Sequence, residues 1–172
     1  MILVTPLSAM LDALRTYRPT RLVTLLSPEH MIETPEGFPG EHHLRLGLND
    51  IADPAAGNAP PEVRHVSQLI AFGRAWDGSE PMLIHCWAGV SRSMAAAFTV
   101  LCDRYGPGNE YDIAQEIRAR ASHAAPNRLL VRLADSALRR DGAMVRAVEA
   151  MGPCRAVDEG VPVELPLTIL AT

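Results

Sequence analysis

The sequence has little of several features that mark particular classes of protein. It contains no run of Lys or Arg and its net charge is −4, so neither nucleic acid nor an anionic membrane is expected as a partner. No apolar run approaches the length of a membrane-spanning helix, and the apolar residues 1–7 lack the basic start and long apolar core of a signal peptide. Internal repeats and low-complexity segments are missing too. These absences predict a cytoplasmic protein.

Cysteine is also scarce, and the three cysteines are widely spaced, as is typical of a reducing compartment. On a helix that rises 1.5 Å per residue, Cys102 would lie about 24 Å from Cys86, too far for a disulfide bond. Cys102 and Cys154 are therefore interpreted as structural. The histidines other than His85 show no metal-ligand spacing, so no metal or other cofactor is expected. These five residues are His30, His42, His43, His65 and His123.

The remaining pattern alternates between short apolar runs and amphipathic segments. With 172 residues, 48% of them hydrophobic, the chain is long enough for one domain with a single core. Strands are predicted at 2–6, 21–26, 42–48 and 81–84, and helices at 8–18, 62–76, 91–102, 111–120 and from Pro126-Asn127 to 151 with a bend at 141–142. We expect Ser8 to cap the first helix. This order predicts an α/β domain, residues 1–172, with a mixed or mostly parallel central sheet flanked by helices and an extended tail, 152–172, that packs on the body through apolar residues up to Ile169.

The central stretch, residues 84–93, reads Ile-His-Cys-Trp-Ala-Gly-Val-Ser-Arg-Ser between a predicted strand and a predicted helix. If this loop wraps, its backbone N–H groups and the N-terminus of the helix face one point, which favours the binding of an oxyanion. Arg92 adds a planar fork that can hold two oxygens of a phosphoryl group. Cys86 lies at the mouth of the loop, where the helix dipole and the guanidinium stabilise a thiolate over a thiol. The stretch therefore predicts a thiolate nucleophile facing a tetrahedral anion.

This stretch resembles the signature of the cysteine-dependent protein tyrosine phosphatases, most closely the atypical, bacterial-like form of the dual-specificity branch. The match comprises His-Cys, five residues, Arg and then Ser, and in layout the resemblance extends from about Leu22 to Leu138. It implies the protein tyrosine phosphatase fold and phosphatase activity without a metal.

The resemblance also implies roles for individual residues. Cys86 is the implied nucleophile, Arg92 and the loop amides hold the phosphate, and Ser93 assists the breakdown of the phosphocysteine. His85 is implied to order the loop, and Asn127 either braces the loop or caps the next helix. The implied phosphate-binding positions are Trp87, Ala88, Gly89, Val90, Ser91 and Arg92.

Attack by the thiolate expels an alkoxide or phenoxide, so a general acid is required near the loop. In the resembling family this acid is an Asp on a loop that follows a strand, some thirty-odd positions before the cysteine. Asp50 and Asp53 both satisfy this condition. The Asn49-Asp50 pair directly after a strand is the closer likeness, so Asp50 is the predicted acid and Asp53 the alternative.

The variable loop positions Trp87, Ala88 and Val90 carry no basic side chain, which disfavours a substrate with several anionic groups. We therefore expect a phosphorylated protein or peptide as substrate, with phosphotyrosine first and phosphoserine or phosphothreonine as further possibilities. Three alternatives remain open. They are an inositol-phosphate or phosphoinositide phosphatase on the same fold, a non-catalytic phosphate-binding pseudophosphatase, and another cysteine-loop chemistry such as sulfur transfer or arsenate reduction.

Overall fold

The computed structural model describes residues 1–168, so Ile169 lies outside the described residues. Within that range the strands are β1 (Ile2–Pro6), β2 (Arg21–Leu26), β3 (His43–Gly47), β4 (Met82–Cys86) and β5 (Val163–Leu165). The helices are α1 (Leu7–Tyr17), α2 (Val63–Arg74), α3 (Arg92–Tyr105), α4 (Glu110–Arg120), α5 (Arg128–Ala137) and α6 (Ala143–Glu149).

The strands form one sheet in the order β3-β2-β4-β1-β5. The first four strands are parallel, with Ile84 of β4 beside Val23 on one side and Val4 on the other. Strand β5 pairs antiparallel with β1 and closes that edge of the sheet. This arrangement confirms the predicted α/β fold with a mostly parallel, mixed sheet.

Helices cover both faces of the sheet, because alternate side chains of each strand point to opposite faces. On one face, Leu3, Leu22 and Leu83 of three strands pack against Met10 and Ala13 of α1. The larger core lies on the other face, where side chains of α2 to α6 gather around α3. Every residue of α3 from Arg92 to Cys102 is buried, so this helix is the central element of the domain.

Several predicted boundaries were wrong. The helix predicted from Pro126-Asn127 to 151 is two helices, α5 and α6, and the helix predicted to end at 102 continues to Tyr105. Two further differences have a clear cause. Helix α1 starts at Leu7 and not after a Ser8 cap, because the Leu7 N–H bonds to the carbonyl of Trp87 and Pro6 occupies the cap position. The Ser8 hydroxyl donates instead to Glu159 in the C-terminal tail. Strand β4 extends to Cys86 rather than ending at Ile84, since β1 and β2 continue beside it to that point.

The C-terminal tail contributes to the sheet through β5, whose Val163 and Leu165 point into the core. A main-chain hydrogen bond from Arg155 to Ser122 and another from Gly160 to Ala88 fix the part of the tail before β5. In the range 1–168 no helix combines the length and apolar character needed to cross a membrane.

Candidate active site

The loop that follows β4, here named the Cys86 loop (residues 86–92), lies at the carboxyl end of the parallel strands. Cys86 is the last residue of β4, and Arg92 is the first residue of α3. The segment after β3, which carries Asp50, emerges at the same edge because β2, β3 and β4 are parallel. In open α/β sheets, ligands bind at this edge.

Main-chain donors from outside the Cys86 loop hold several of its carbonyl groups. In a trans peptide the C=O and the following N–H point in opposite directions, so a carbonyl fixed outward turns the next N–H inward. The next N–H groups here belong to Ala88, Gly89, Ser91 and Arg92. The bonds are Leu7 N to Trp87 O at 3.0 Å, Gly160 N to Ala88 O at 2.8 Å, Ala125 N to Val90 O at 2.9 Å and Asn127 N to Ser91 O at 3.3 Å. The geometry is that of a preformed oxyanion cradle.

Gly89 allows the loop to make this turn. Its φ is +70°, in the left-handed region that glycine adopts without strain. A Cβ at this position would come within 2.6 Å of the Pro6 nitrogen and 2.9 Å of the Thr5 carbonyl carbon. The close approach to β1 is therefore open only to glycine.

Cys86 lies at the base of the loop, where its Sγ is 3.1 Å from the Ser93 hydroxyl oxygen. Both residues are buried. A hydroxyl beside sulfur can donate to a thiolate and stabilise it. The structure thus brings together the predicted nucleophile and the residue predicted to assist it.

Arg92 is 7% exposed, and its guanidinium is anchored to the neighbouring segment. One terminal nitrogen donates to the Leu48 carbonyl at 2.9 Å. The Nε group makes no hydrogen bond within residues 1–168, although it lies 3.9 Å from Oδ2 of Asp50. A buried N–H donor without a partner is uncommon, and here it offers a bond to an oxygen bound in the cradle.

Asp50 contacts the Cys86 loop directly, whereas Asp53 does not. Oδ1 of Asp50 accepts hydrogen bonds from the Ser91 hydroxyl at 2.7 Å and from the side-chain amide of Asn127 at 2.8 Å. The side chain remains 40% exposed. Asp53 instead caps the short helical turn at 54–56, where it accepts from the Ala55 N–H at 3.0 Å.

Asn127 combines the two roles that its sequence position left open. Its side-chain oxygen accepts from the Leu130 N–H at 2.9 Å and so caps α5. Its side-chain nitrogen donates to Asp50 and to the Ile51 carbonyl, and its main-chain N–H donates to Ser91. The residue therefore joins α5, the Asp50 segment and the Cys86 loop.

The imidazole of His85, next to the nucleophile, belongs to a buried polar cluster. Its Nε2 lies 2.7 Å from the hydroxyl of Thr24, which also contacts His43, and His43 contacts Thr34. Burial lowers the pKa of His85 to about 4 and also lowers that of His43 to about 4. Sequence analysis missed Thr24, although a hydroxyl among the apolar residues 22–26 of β2 is a signal that could have identified it.

Trp87 stands at the rim of the cradle and is 54% exposed. Its ring meets that of His30 edge to face, with 5.4 Å between the ring centroids. Ser27 in turn holds His30, through a 3.0 Å hydrogen bond between its hydroxyl and Nδ1. The other tryptophan, Trp76, is buried, so Trp87 does not follow the usual inward packing of this residue type.

A cavity of about 490 Å³ lies beside Asp50 and Ser91 of the Cys86 loop. Ser91, Asn127, Arg128 and Cys154 are among the residues that line it. All three cysteines are unpaired. In the described range 1–168, no group of three or more His, Cys, Asp or Glu side chains is placed to hold a metal ion.

Comparison with solved structures identifies the fold. The structure of DUSP15 aligns over 87% of this chain and 89% of its own, at 18% identity and a TM-score of 0.59. The structure of PTPMT1 in complex with PI(5)P aligns over 86% and 94%, at 18% identity and a TM-score of 0.60. No protein-family model and no curated protein matches the sequence. The chain therefore has the fold of the cysteine-dependent tyrosine and dual-specificity phosphatases, as its central motif predicted.

Proposed function

We propose that this protein hydrolyses phosphate monoesters through a phosphocysteine intermediate on Cys86. The observation that carries the proposal is the convergence on one backbone cradle of Cys86, the carboxylate of Asp50 and the Nε–H of Arg92, which has no partner within residues 1–168. The fold similarity to DUSP15 and PTPMT1 supports it.

In the first step, the Cys86 thiolate attacks phosphorus, so that an S–P bond forms while the P–O bond to the leaving group breaks. The loop N–H groups and Arg92 bind the other phosphoryl oxygens and stabilise the charge that develops on them. Asp50, in its protonated form, gives its proton to the leaving oxygen. Because Oδ1 already accepts two hydrogen bonds, we assign this proton to Oδ2.

In the second step, water attacks the phosphocysteine. Asp50, now a carboxylate, takes a proton from the water, a P–O bond forms and the S–P bond breaks. The Ser93 hydroxyl, 3.1 Å from Sγ, stabilises the departing thiolate. The products are inorganic phosphate and the starting enzyme.

The proposed substrate is a phosphorylated protein or peptide, with phosphotyrosine first and phosphoserine or phosphothreonine next. The exposed Trp87 ring beside the cradle supports an aromatic ester, and the rim positions Ala88 and Val90 add no positive charge for a second phosphate. A reducing compartment keeps a nucleophilic thiol in its active form, in keeping with the cytoplasmic location predicted from the cysteine content.

A phosphoinositide is the second candidate substrate, because the similar PTPMT1 structure is of a complex with PI(5)P. A panel of a phosphotyrosine peptide, a phosphoserine peptide, soluble inositol phosphates and PI(5)P micelles separates the two candidates. Higher kcat/KM on the phosphotyrosine peptide supports the first candidate, and higher kcat/KM on inositol phosphates or PI(5)P selects the second.

The test of the activity itself is p-nitrophenyl phosphate hydrolysis in EDTA by the wild type and Cys86→Ser. We expect turnover that Cys86→Ser abolishes while vanadate binding persists. Turnover retained in the variant contradicts the mechanism, and vanadate binding without turnover in the wild type identifies a pseudophosphatase.

Arsenate reduction would require a second thiol. Burial raises the pKa of Cys102, which disfavours its thiolate, so the exposed Cys154 is the residue to test. We expect Cys154→Ser to hydrolyse p-nitrophenyl phosphate at the wild-type rate. Reduction of arsenate by the wild type that is lost in Cys154→Ser would instead select the reductase.

A further inference from the structure

A continuous hydrogen-bond chain runs from the residue next to the nucleophile to the far edge of the sheet. It links His85, Thr24, His43 and Thr34, and we name it the histidine–threonine chain. The distances are 2.7 Å from His85 Nε2 to Thr24 Oγ1, 2.7 Å from Thr24 Oγ1 to His43 Nε2, and 3.0 Å from His43 Nδ1 to Thr34 Oγ1. His85 and Thr24 are fully buried, and His43 is 8% exposed.

The sheet fixes this chain in place. Thr24 of β2 lies beside His85 of β4 in the parallel register, so the two side chains share one face of the sheet. His43 starts β3, the next strand outward. Because three adjacent strands hold His85, Thr24 and His43, little further ordering is needed for the two hydrogen bonds between them to form.

The hydroxyl of Thr24 couples the two imidazoles. At neutral pH both rings are uncharged, since burial lowers the pKa of each to about 4. A hydroxyl has a single proton, so Thr24 donates to one Nε2 and accepts from the other. Of His43 and His85, therefore, only one carries its proton on Nε2.

We propose that Thr24 and His43 are positioning residues that hold the proton of His85 on Nδ1 and thereby orient the start of the Cys86 loop. In this direction Thr34 donates to His43 Nδ1, His43 donates from Nε2 to Thr24, and Thr24 donates to His85 Nε2. Each bond of the chain then has one donor and one acceptor.

The surroundings of His85 favour this direction over its reverse. Nδ1 of His85 makes no regular hydrogen bond among the described residues. Burial is the main influence on the imidazole and lowers its pKa, but the main chain of Cys86 acts the opposite way and favours a proton on the ring. An N–H on Nδ1 is attracted to that main chain, whereas the lone pair left by the reverse direction is repelled.

Only the predicted change in turnover rests on the proposed function. The tautomer of His85 can be measured directly, whether or not the protein is a phosphatase. In ¹⁵N-labelled wild-type protein at neutral pH, we expect the nitrogen shifts of His85 to show protonation at Nδ1 and those of His43 to show protonation at Nε2. The opposite assignment overturns the proposal. This wild-type spectrum keeps the proposal testable even if a variant fails to fold.

Two buried threonines on either side of His85 allow a variant and a matched control. Thr24→Val keeps the shape of the side chain but removes both hydrogen bonds to the histidines. Thr5→Val is the control, because Thr5 lies beside His85 on the opposite strand, β1, is also fully buried, and has a hydroxyl without a partner among residues 1–168. Thr24→Ser restores the hydroxyl.

We expect Thr24→Val to lower kcat for p-nitrophenyl phosphate and the rate of Cys86 alkylation by iodoacetate roughly tenfold, with KM little changed. Thr24→Ser should recover most of both rates, and Thr5→Val should stay within about twofold of the wild type. Equal losses in Thr24→Val and Thr5→Val would show that the effect of Thr24→Val comes from core packing and not from the hydrogen bonds of the histidine–threonine chain. That result would overturn the proposal. If the wild type shows no turnover, the proposed function fails, while the tautomers and the alkylation rates still decide this inference.

Discussion

The two oxygens of Asp50 have different surroundings, and this difference sets the role proposed for the residue. Oδ1 is held by the Ser91 hydroxyl and the Asn127 amide, while Oδ2 faces Nε of Arg92 at 3.9 Å. A carboxyl group that is fixed through one oxygen presents the other oxygen to a substrate in a defined orientation, so little side-chain entropy is lost in the reaction.

We expect Asp50→Asn to lower kcat about 10²-fold for a phosphate ester of a poor leaving group, because the leaving oxygen then departs unprotonated. The loss should be smaller for p-nitrophenyl phosphate, whose leaving group needs little protonation. The measurement is kcat for the two esters.

Asp53→Asn is the matched control for Asp50→Asn, since Asp53 caps a surface turn and does not contact the Cys86 loop. It should keep the wild-type kcat for both esters. A loss in Asp53→Asn comparable to that predicted for Asp50→Asn would reverse the assignment of the acid.

Trp87 provides a second test at the scale of one side chain. Its exposed ring packs against His30 at the rim of the Cys86 loop, beside the proposed phosphate site. We expect Trp87→Leu to lower kcat/KM for an aryl phosphate by about fivefold, corresponding to a lost ring contact of about 1 kcal/mol, and to leave an alkyl phosphate nearly unchanged. Equal losses for both esters would show that Trp87 shapes the loop rather than the specificity.

At the scale of elements, the Cys86 loop is held by donors from three separate parts of the chain. They come from the start of α1, from the turn before α5 and from the C-terminal tail. Since main-chain groups make these bonds, their effect depends on where the elements dock and not on which side chains they carry.

Gly160 tests the contribution of the tail. A Cβ at this position would lie 2.6 Å from Nε2 of the buried His123 and 3.2 Å from the Ala88 carbonyl oxygen. We expect Gly160→Ala to displace the tail, to weaken vanadate binding and to lower kcat/KM roughly tenfold through misplacement of the Gly89 N–H.

Gly40→Ala is the corresponding control, because a Cβ there meets no atom within 4 Å. Its vanadate affinity and kcat/KM should match those of the wild type. If Gly160→Ala behaves in the same way, the tail bond does not position the loop.

The sequence predicted the side chains that lie within one motif, but not the main-chain contacts or the contacts between side chains on different strands. Cys86, Arg92 and Ser93 were identifiable because their side-chain chemistry recurs at a fixed spacing between a strand and a helix, and the loop adopts the predicted connection. The bond from Gly160 to Ala88 was not predictable, since main-chain groups distant in the sequence leave no pattern. Thr24 was overlooked because its partners depend on the order of the strands.

At the scale of the whole molecule, the buried histidines couple the fold to pH. The pKa of His43 and of His85 in the folded protein is about 4, below the ordinary 6.5. The unfolded chain therefore binds more protons below pH 6.5, so stability is retained above that pH and is lost as pH falls toward 4. Each imidazole accounts for a loss of about 3 kcal/mol over this range.

We expect the free energy of unfolding, measured by urea titration between pH 7 and 4, to fall steeply below pH 6.5. His43→Gln should make the slope of the unfolding free energy against pH shallower. The number of protons taken up on unfolding should fall by about one, because one imidazole that must stay neutral in the folded state is removed. The neighbouring His42→Gln is the matched control, with which the slope of His43→Gln is compared. An unchanged slope in His43→Gln would contradict the depressed pKa of His43.

The bond between Gly160 and Ala88 has a consequence for the order in which the protein matures. Cys86, Arg92 and Asp50 leave the ribosome well before residue 160, yet the Ala88 carbonyl gains its partner only after the tail has been synthesised and has docked beside β1. A nascent chain therefore carries its reactive thiol in an incomplete cradle. Full activity should therefore require that residue 160 has left the ribosome and that the tail has docked.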